Sequence, residues 1–174
     1  MKSEFEKKLI KLGLSYSNQP DDFYILHRNN DFGRTIKVQL ICSAPTNKVI
    51  HGSNNGNEIQ AIGYFKFRLS TEDKRPDFFI LSFQNTSNHC VEYIIISPKE
   101  LKRRLIEKNR ISNNNQEMEM VFWLMPDNYL YETTDIGIEG EWFYMSKGIN
   151  GRMKDVTDWD YTKFLNDWKR LKMI

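Results

Sequence analysis

The sequence predicts an α/β fold, a mixed central sheet flanked by helices, and three observations predict it. Short apolar runs of strand length, "FFIL" at 78–81 and "YIIIS" at 93–97, are continuous rather than alternating, the habit of strands covered on both faces. Helical stripes occur near the N-terminus, after Ser97 and near the C-terminus. The chain also opens in the order helix, strand, turn, strand.

Each element has a local reason. Phe5, Leu9 and Leu12 fall on one helical face, Ser3 and Glu6 have capping-box spacing, and Gly13 supplies a stop. After Pro20, Phe23 to Leu26 and Ile36 to Cys42 read as strands joined by the turn-rich Asn29-Asn30-Asp31-Phe32-Gly33. The polar stretch from Pro45 to Asn57 reads as a long loop. In "IGYFKFRLS", Tyr64, Lys66 and Arg68 alternate with Phe65, Phe67 and Leu69, as a strand requires. Two apolar strands then flank a polar turn, and a helix starts at Ser97-Pro98, with Ser97 as N-cap, proline at the first helical position and Glu100 three residues beyond the cap.

Beyond it, "ISNNNQEME" is a polar connection, and "MVFWLM" and "EWFYM" are short aromatic strands, with a turn around Asn150-Gly151. Tyr161, Phe164, Leu165, Trp168 and Leu171 form one stripe, which predicts a last helix docked on the core. There is no internal repeat.

A chain of 174 residues is of single-domain size. Its 25 basic and 23 acidic residues nearly cancel, so any nucleic-acid surface has to be a local patch. Cys42 and Cys90 have no CxxC spacing and sit in or beside apolar segments, which predicts reduced core thiols rather than a disulfide. The N-terminus lacks the apolar stretch of a signal peptide, and no run reaches the roughly 18 apolar residues of a membrane span, so a cytoplasmic protein is expected.

Several chemistries lack support. His27, His51 and His89 are scattered with no HExxH or zinc spacing, and there is no GxxxxGK[ST] or GxGxxG. Cys42 with His51 as base would need an exposed, activated thiol, whereas its surroundings read as a buried strand.

The helix bearing acids, the strand entered through "PDDFYIL", the strand "IKVQLI" and the strand, strand, helix order running into "SPKELKRRL" together resemble the PD-(D/E)XK nuclease superfamily, which includes restriction endonucleases and Holliday-junction resolvases. The resemblance covers about the first two thirds of the chain. It implies a restriction-endonuclease-like core over residues 1–110 of a single domain, with an aromatic-rich C-terminal extension over 118–174. It also implies magnesium-dependent phosphodiester cleavage, because hard oxygen ligands suit that ion and the ion offsets charge growing on the phosphate. Carried over, Asp22 with its neighbour Asp21 takes the first acid and Gln39 the second, as metal ligands, while the lysine position falls on Ile41. Strand alternation puts Lys37, Gln39 and Ile41 on one face, so Lys37 is the displaced catalytic lysine, with Lys66 or Arg68 as substitutes if their strand pairs alongside, and Glu6 a further carboxylate.

The same residues have plainer readings: Asp21 and Asp22 as turn residues, Lys37 as a solvated edge, Gln39 as a sheet-surface amide. Lys99, Lys102, Arg103, Arg104 and Lys108 cluster after Ser97, either as a phosphate-tracking face, chiefly Lys99, Lys102 and Arg103, or as a solvated helix face with ion pairs. Tyr64, Trp123 and Trp142 either stack on bases or pack in the core. Two functions follow from the resemblance: a protein acting on nucleic acid, DNA before RNA, as a magnesium endonuclease, or a binding subunit that keeps the scaffold without the site, in a restriction, phage-defence or mobile-element system. Either is compatible with a homodimer or a protein partner.

Overall fold

The computed structural model describes residues 1–28, 34–44, 60–68, 75–107, 117–125, 128–133 and 160–172. Helix α1 spans Lys2–Lys11. Its first intrahelical bond runs from the Phe5 N–H to the Met1 carbonyl at 3.0 Å, so Met1 is the cap and the Ser3/Glu6 capping box is not used. The helix therefore starts two residues earlier than the cap signal implied, with Phe5 and Leu9 fully buried. Gly13 ends it at φ 73, a conformation glycine adopts without a Cβ penalty.

Strand β1, Leu14–Gln19, follows, and its sequence signal is weak because only Leu14 is buried. A short 3₁₀ turn at Pro20–Asp22 leads into β2, Phe23–Arg28, and then β3, Thr35–Cys42. Strand β4 covers Ala61–Arg68, β5 Phe78–Gln84 and β6 Val91–Ile96. Helix α2 covers Pro98–Glu107, then come β7, Glu117–Leu124, and β8, Leu130–Thr133.

The fold is mixed α/β. A five-stranded sheet has the order β1-β2-β3-β5-β6, and a three-stranded sheet the order β4-β7-β8. Strands β1 to β3 form an antiparallel meander, β5 joins β3 in parallel, and β6 is antiparallel to β5. A parallel step needs a crossover; here the chain makes it by way of β4, which pairs with β7 in the other sheet.

Alternation along β5 and β6 sends side chains into two cores. Phe78, Ile80, Tyr93 and Ile95 join Val38, Leu40, Phe5, Leu9, Trp168 and Leu171. Phe79, Leu81, Phe83, Ile94 and Ile96 pack instead with Phe65, Met120 and Phe122 of the smaller sheet and Leu101 and Leu105 of α2. A helix lies on each face, as expected, but not alone: α1 with Trp168 and Leu171 covers one face, and α2 with Tyr161 and Phe164 shares the other with a second sheet. Continuous apolar strands report that both faces are buried, not what buries them. Gly63 marks the close approach of the sheets, since a Cβ there would lie 2.6 Å from the Phe65 ring and 3.3 Å from the Phe83 ring.

The predicted last helix is two 3₁₀ turns, Thr162–Phe164 and Trp168–Lys172. Its stripe docks as expected, with Tyr161, Phe164, Trp168 and Leu171 buried. Asn166, at φ 52, breaks the helix to reach β6. Both thiols are exposed, which corrects the core reading: Cys42 closes its strand at the sheet rim and Cys90 precedes β6. Among the described residues no helix is long and apolar enough to cross a membrane. The loop at 45–57, the turn at 29–33, the "EWFYM" strand and the Asn150-Gly151 turn lie outside the described residues.

Candidate functional site

The acidic pair sits in the turn between β1 and β2, with Asp21 at φ 60 and Asp22 at φ 58, a left-handed conformation that aspartate tolerates better than most residues. The Lys2 ammonium donates to Asp22 Oδ1 at 2.6 Å. It also lies 6.0 Å from the centre of the Tyr24 ring, and the Tyr24 hydroxyl donates to Glu6 Oε1 at 3.2 Å. The hydrogen bond to Asp22 raises the Lys2 pKa above the usual ammonium range, and burial, aided by Glu6, raises that of Tyr24. Asp22 thus belongs to a polar cluster on the α1 side of the sheet.

Gln39 lies on the opposite side. In the β2–β3 register Gln39 is paired with Phe23, and Lys37 with Ile25, so these four side chains share the face away from α1, while Tyr24 and Val38 share the other. Gln39 Nε2 reaches the Asp21 carbonyl only at 3.5 Å, and its buried Oε1 has no partner among the described residues. Lys37 Nζ sits 4.7 Å over the Phe23 ring, while its backbone N–H donates to Asp77 Oδ2 at 2.8 Å. Ile41 is half-buried against the inter-sheet core. Alternation therefore brings Lys37, Gln39 and Ile41 together as expected and does not bring the Asp22 carboxylate to them.

The substitutes are placed elsewhere. Strand β4 pairs with β7 rather than β3, and Lys66 forms an ion pair with Glu119 across that ladder, which raises the Lys66 pKa. Arg68 lies opposite Glu117 in the same ladder. Glu6 is engaged by Tyr24.

A magnesium ion asks for several hard oxygen ligands on one side of a cleft. Here one carboxylate is engaged by an ammonium, and the amide meant to join it faces the other side of the sheet. Among the described residues no three His, Cys, Asp or Glu side chains converge as a metal site. The donor set of the described residues does not fit the ion.

Helix α2 carries the other predicted residues. Ser97 caps it, its Oγ accepting the Glu100 N–H at 3.3 Å. Glu100 accepts from Arg103 Nε at 3.1 Å and from Arg104 Nε at 3.0 Å, with Lys163 Nζ at 3.7 Å. The Arg103 hydrogen bonds, then those of Arg104, hold the Glu100 carboxyl down at about 2. Arg104 is only 2% exposed: its guanidinium lies 4.6 Å from the Tyr161 ring centre and 4.9 Å from that of Phe164, and it donates to the Asp160 carbonyl at 2.9 Å. It is thus a core residue, and its position on the Leu101/Leu105 stripe was the available signal. Lys99 and Arg103 are exposed and Lys102 is half-buried; Lys108 lies outside the described residues. Trp123 is buried, Tyr64 half-buried, and Trp142 lies outside the described residues.

Lys2 was not legible as a partner of Asp22, because a pair twenty residues apart leaves no periodic trace. No family model, no curated protein and no solved structure matches the chain.

Proposed function

We propose that the chain binds nucleic acid, DNA before RNA, on a nuclease-like α/β scaffold without cleaving it. One observation carries the non-cleaving half of this reading: the Asp22 carboxylate is held by Lys2 on the α1 side, across the sheet from Gln39 and Lys37. Without convergent oxygen ligands there is little to offset the dehydration of a divalent ion or charge developing on a phosphate. The binding half rests on Lys99, Lys102 and Arg103 of α2. Arg103 also pairs with Glu100, and Lys99 is exposed, so Lys99 is the principal phosphate contact, with Lys102 beside it on the same helix.

The test is fluorescence anisotropy with duplex DNA and with RNA across a salt series, beside a cleavage assay in magnesium and in manganese. Association should weaken linearly in log–log form with salt. Lys99→Ala with Lys102→Ala should make that slope shallower by about 2, given roughly 0.9 per phosphate contact. No cleavage is expected from the wild type or from Asp22→Ala. Metal-dependent cleavage abolished by Asp22→Ala would replace this reading with the endonuclease that uses Asp22 and Gln39 as ligands and Lys37 as the displaced lysine. Absence of any salt-dependent association would instead point to a protein-binding subunit.

A further inference from the structure

The three edges for which a neighbour is visible are treated differently from the fourth. On β6, the Asn166 N–H donates to the Tyr93 carbonyl at 2.7 Å, its side-chain oxygen accepts the Tyr93 N–H at 3.2 Å, and Leu165 bridges to Ile94. On β8, the Tyr161 N–H donates to the Leu130 carbonyl at 2.7 Å, Thr162 Oγ1 accepts the Leu130 N–H, and Asp160 bridges to Tyr131. On β4, the Tyr64 carbonyl accepts the Ala44 N–H at 2.9 Å and its N–H meets Ser43 Oγ at 2.9 Å. Strand β1 ends the five-stranded sheet, and among the described residues no backbone group pairs with its outer edge.

The sequence of that edge is unprotected. Natural edge strands are blunted by lysine, proline, bulges or extreme shortness, since bare N–H and C=O groups template further pairing. Leu14–Gln19, "LSYSNQ", is six residues long with no charge and no proline. Ser15, Ser17, Asn18 and Gln19 are exposed. Its flanks are charged and opposite in sign: Lys11 lies beyond one end and Asp21 beyond the other, both exposed, while the neighbouring Asp22 is paired with Lys2.

We infer that β1 is an association edge whose occupant is β1 of a second copy of this chain, paired antiparallel, so that two five-stranded sheets continue as one. Antiparallel self-pairing is isologous and closes at a dimer. It brings the Lys11 end of each copy against the Asp21 end of the other, whereas parallel pairing would set like charge on like. A register centred on Tyr16 puts the two Tyr16 rings side by side, Ser15 opposite Ser17, and Lys11 toward Asp21. The flanking charges set direction and register, which an uncharged polar strand specifies weakly by itself.

Analytical ultracentrifugation of the full chain over a wide concentration range tests this, with circular dichroism confirming that each variant is folded. The wild type should show a monomer–dimer equilibrium. Ser15→Lys with Ser17→Lys changes only exposed positions, sets lysine opposite lysine, and should raise the dimer dissociation constant by about tenfold or more. Lys11→Glu and Asp21→Lys should each weaken the dimer, and the two together should restore it, because each swapped end again meets its opposite. A wild type that stays monomeric at every concentration overturns the inference. So does a dimer indifferent to the serine-to-lysine pair, or one in which the double charge swap is as weak as the single changes.

Discussion

At the scale of single residues, Glu100 and Arg104 show how burial turns an ordinary helical ion pair into a fastener. Glu100 and Arg104 are four apart and would be worth a few tenths of a kcal/mol on an exposed helix. Here Arg104 is 2% exposed and lies against two aromatic rings, so its charge depends on Glu100 and on the Asp160 carbonyl. The Glu100 carboxyl, held at about 2 in the folded chain, lies below the unfolded value of roughly 4.3. Its contribution is therefore full above the unfolded value and is lost as pH falls through the folded one. Glu100→Gln should cost about 1–2 kcal/mol near neutral pH, after allowance for water around Arg103 and Lys163, and progressively less as pH falls from about 4 towards about 2. Urea titrations of both proteins across pH would check this; a cost independent of pH would assign the loss to packing instead. Of the candidate site, the shared face of Lys37, Gln39 and Ile41 was legible, because strand alternation is a local rule. Asp22's partner was not, since Lys2 reaches it only through the docking of α1.

Among the elements, the C-terminal segment departs furthest from its periodicity. Spacings of three and four among Tyr161, Phe164, Trp168 and Leu171 read as an α-helix, yet two short 3₁₀ turns put the same four side chains into the core. The competing force is the open edge of β6. Asn166 takes up φ 52, supplies a donor and an acceptor to Tyr93, and donates Nδ2 to Glu92 Oε2 at 2.6 Å. Asn166→Gly keeps the backbone conformation and removes only the side-chain bonds. It should cost about 1–2 kcal/mol, and the Tyr93 amide should exchange with solvent faster while amides in β3 stay unchanged. Equal exchange in both proteins would show that the edge is held by the backbone alone. The β1 edge has no such clamp among the described residues, and its pairing prediction rests on that contrast.

For the whole molecule, β5 and β6 are the shared wall of two cores, one under α1 and one under the smaller sheet. A wall whose side chains alternate between cores couples them, because losing either leaves the same strands half-exposed. Phe5→Ala and Phe122→Ala should each cost about 3–5 kcal/mol, as expected for a fully buried phenylalanine. Each should move one cooperative transition, with dichroism and tryptophan fluorescence coincident. Two separate transitions would mean that the smaller sheet unfolds independently. Periodicity and end signals alone were enough to determine the α/β class, the amphipathic N-terminal helix, the Ser97 cap, the doubly buried central strands and the docking stripe at the C-terminus. Those are local properties, written within a few turns or pleats of chain. Only the tertiary structure decided what covers each face, that the parallel step crosses over through a second sheet, that Arg104 is interior, and that Asp22 and Gln39 stand on opposite sides. Each of those depends on which distant segments share a surface, and hydrophobic burial, being non-directional, does not encode the identity of its partner.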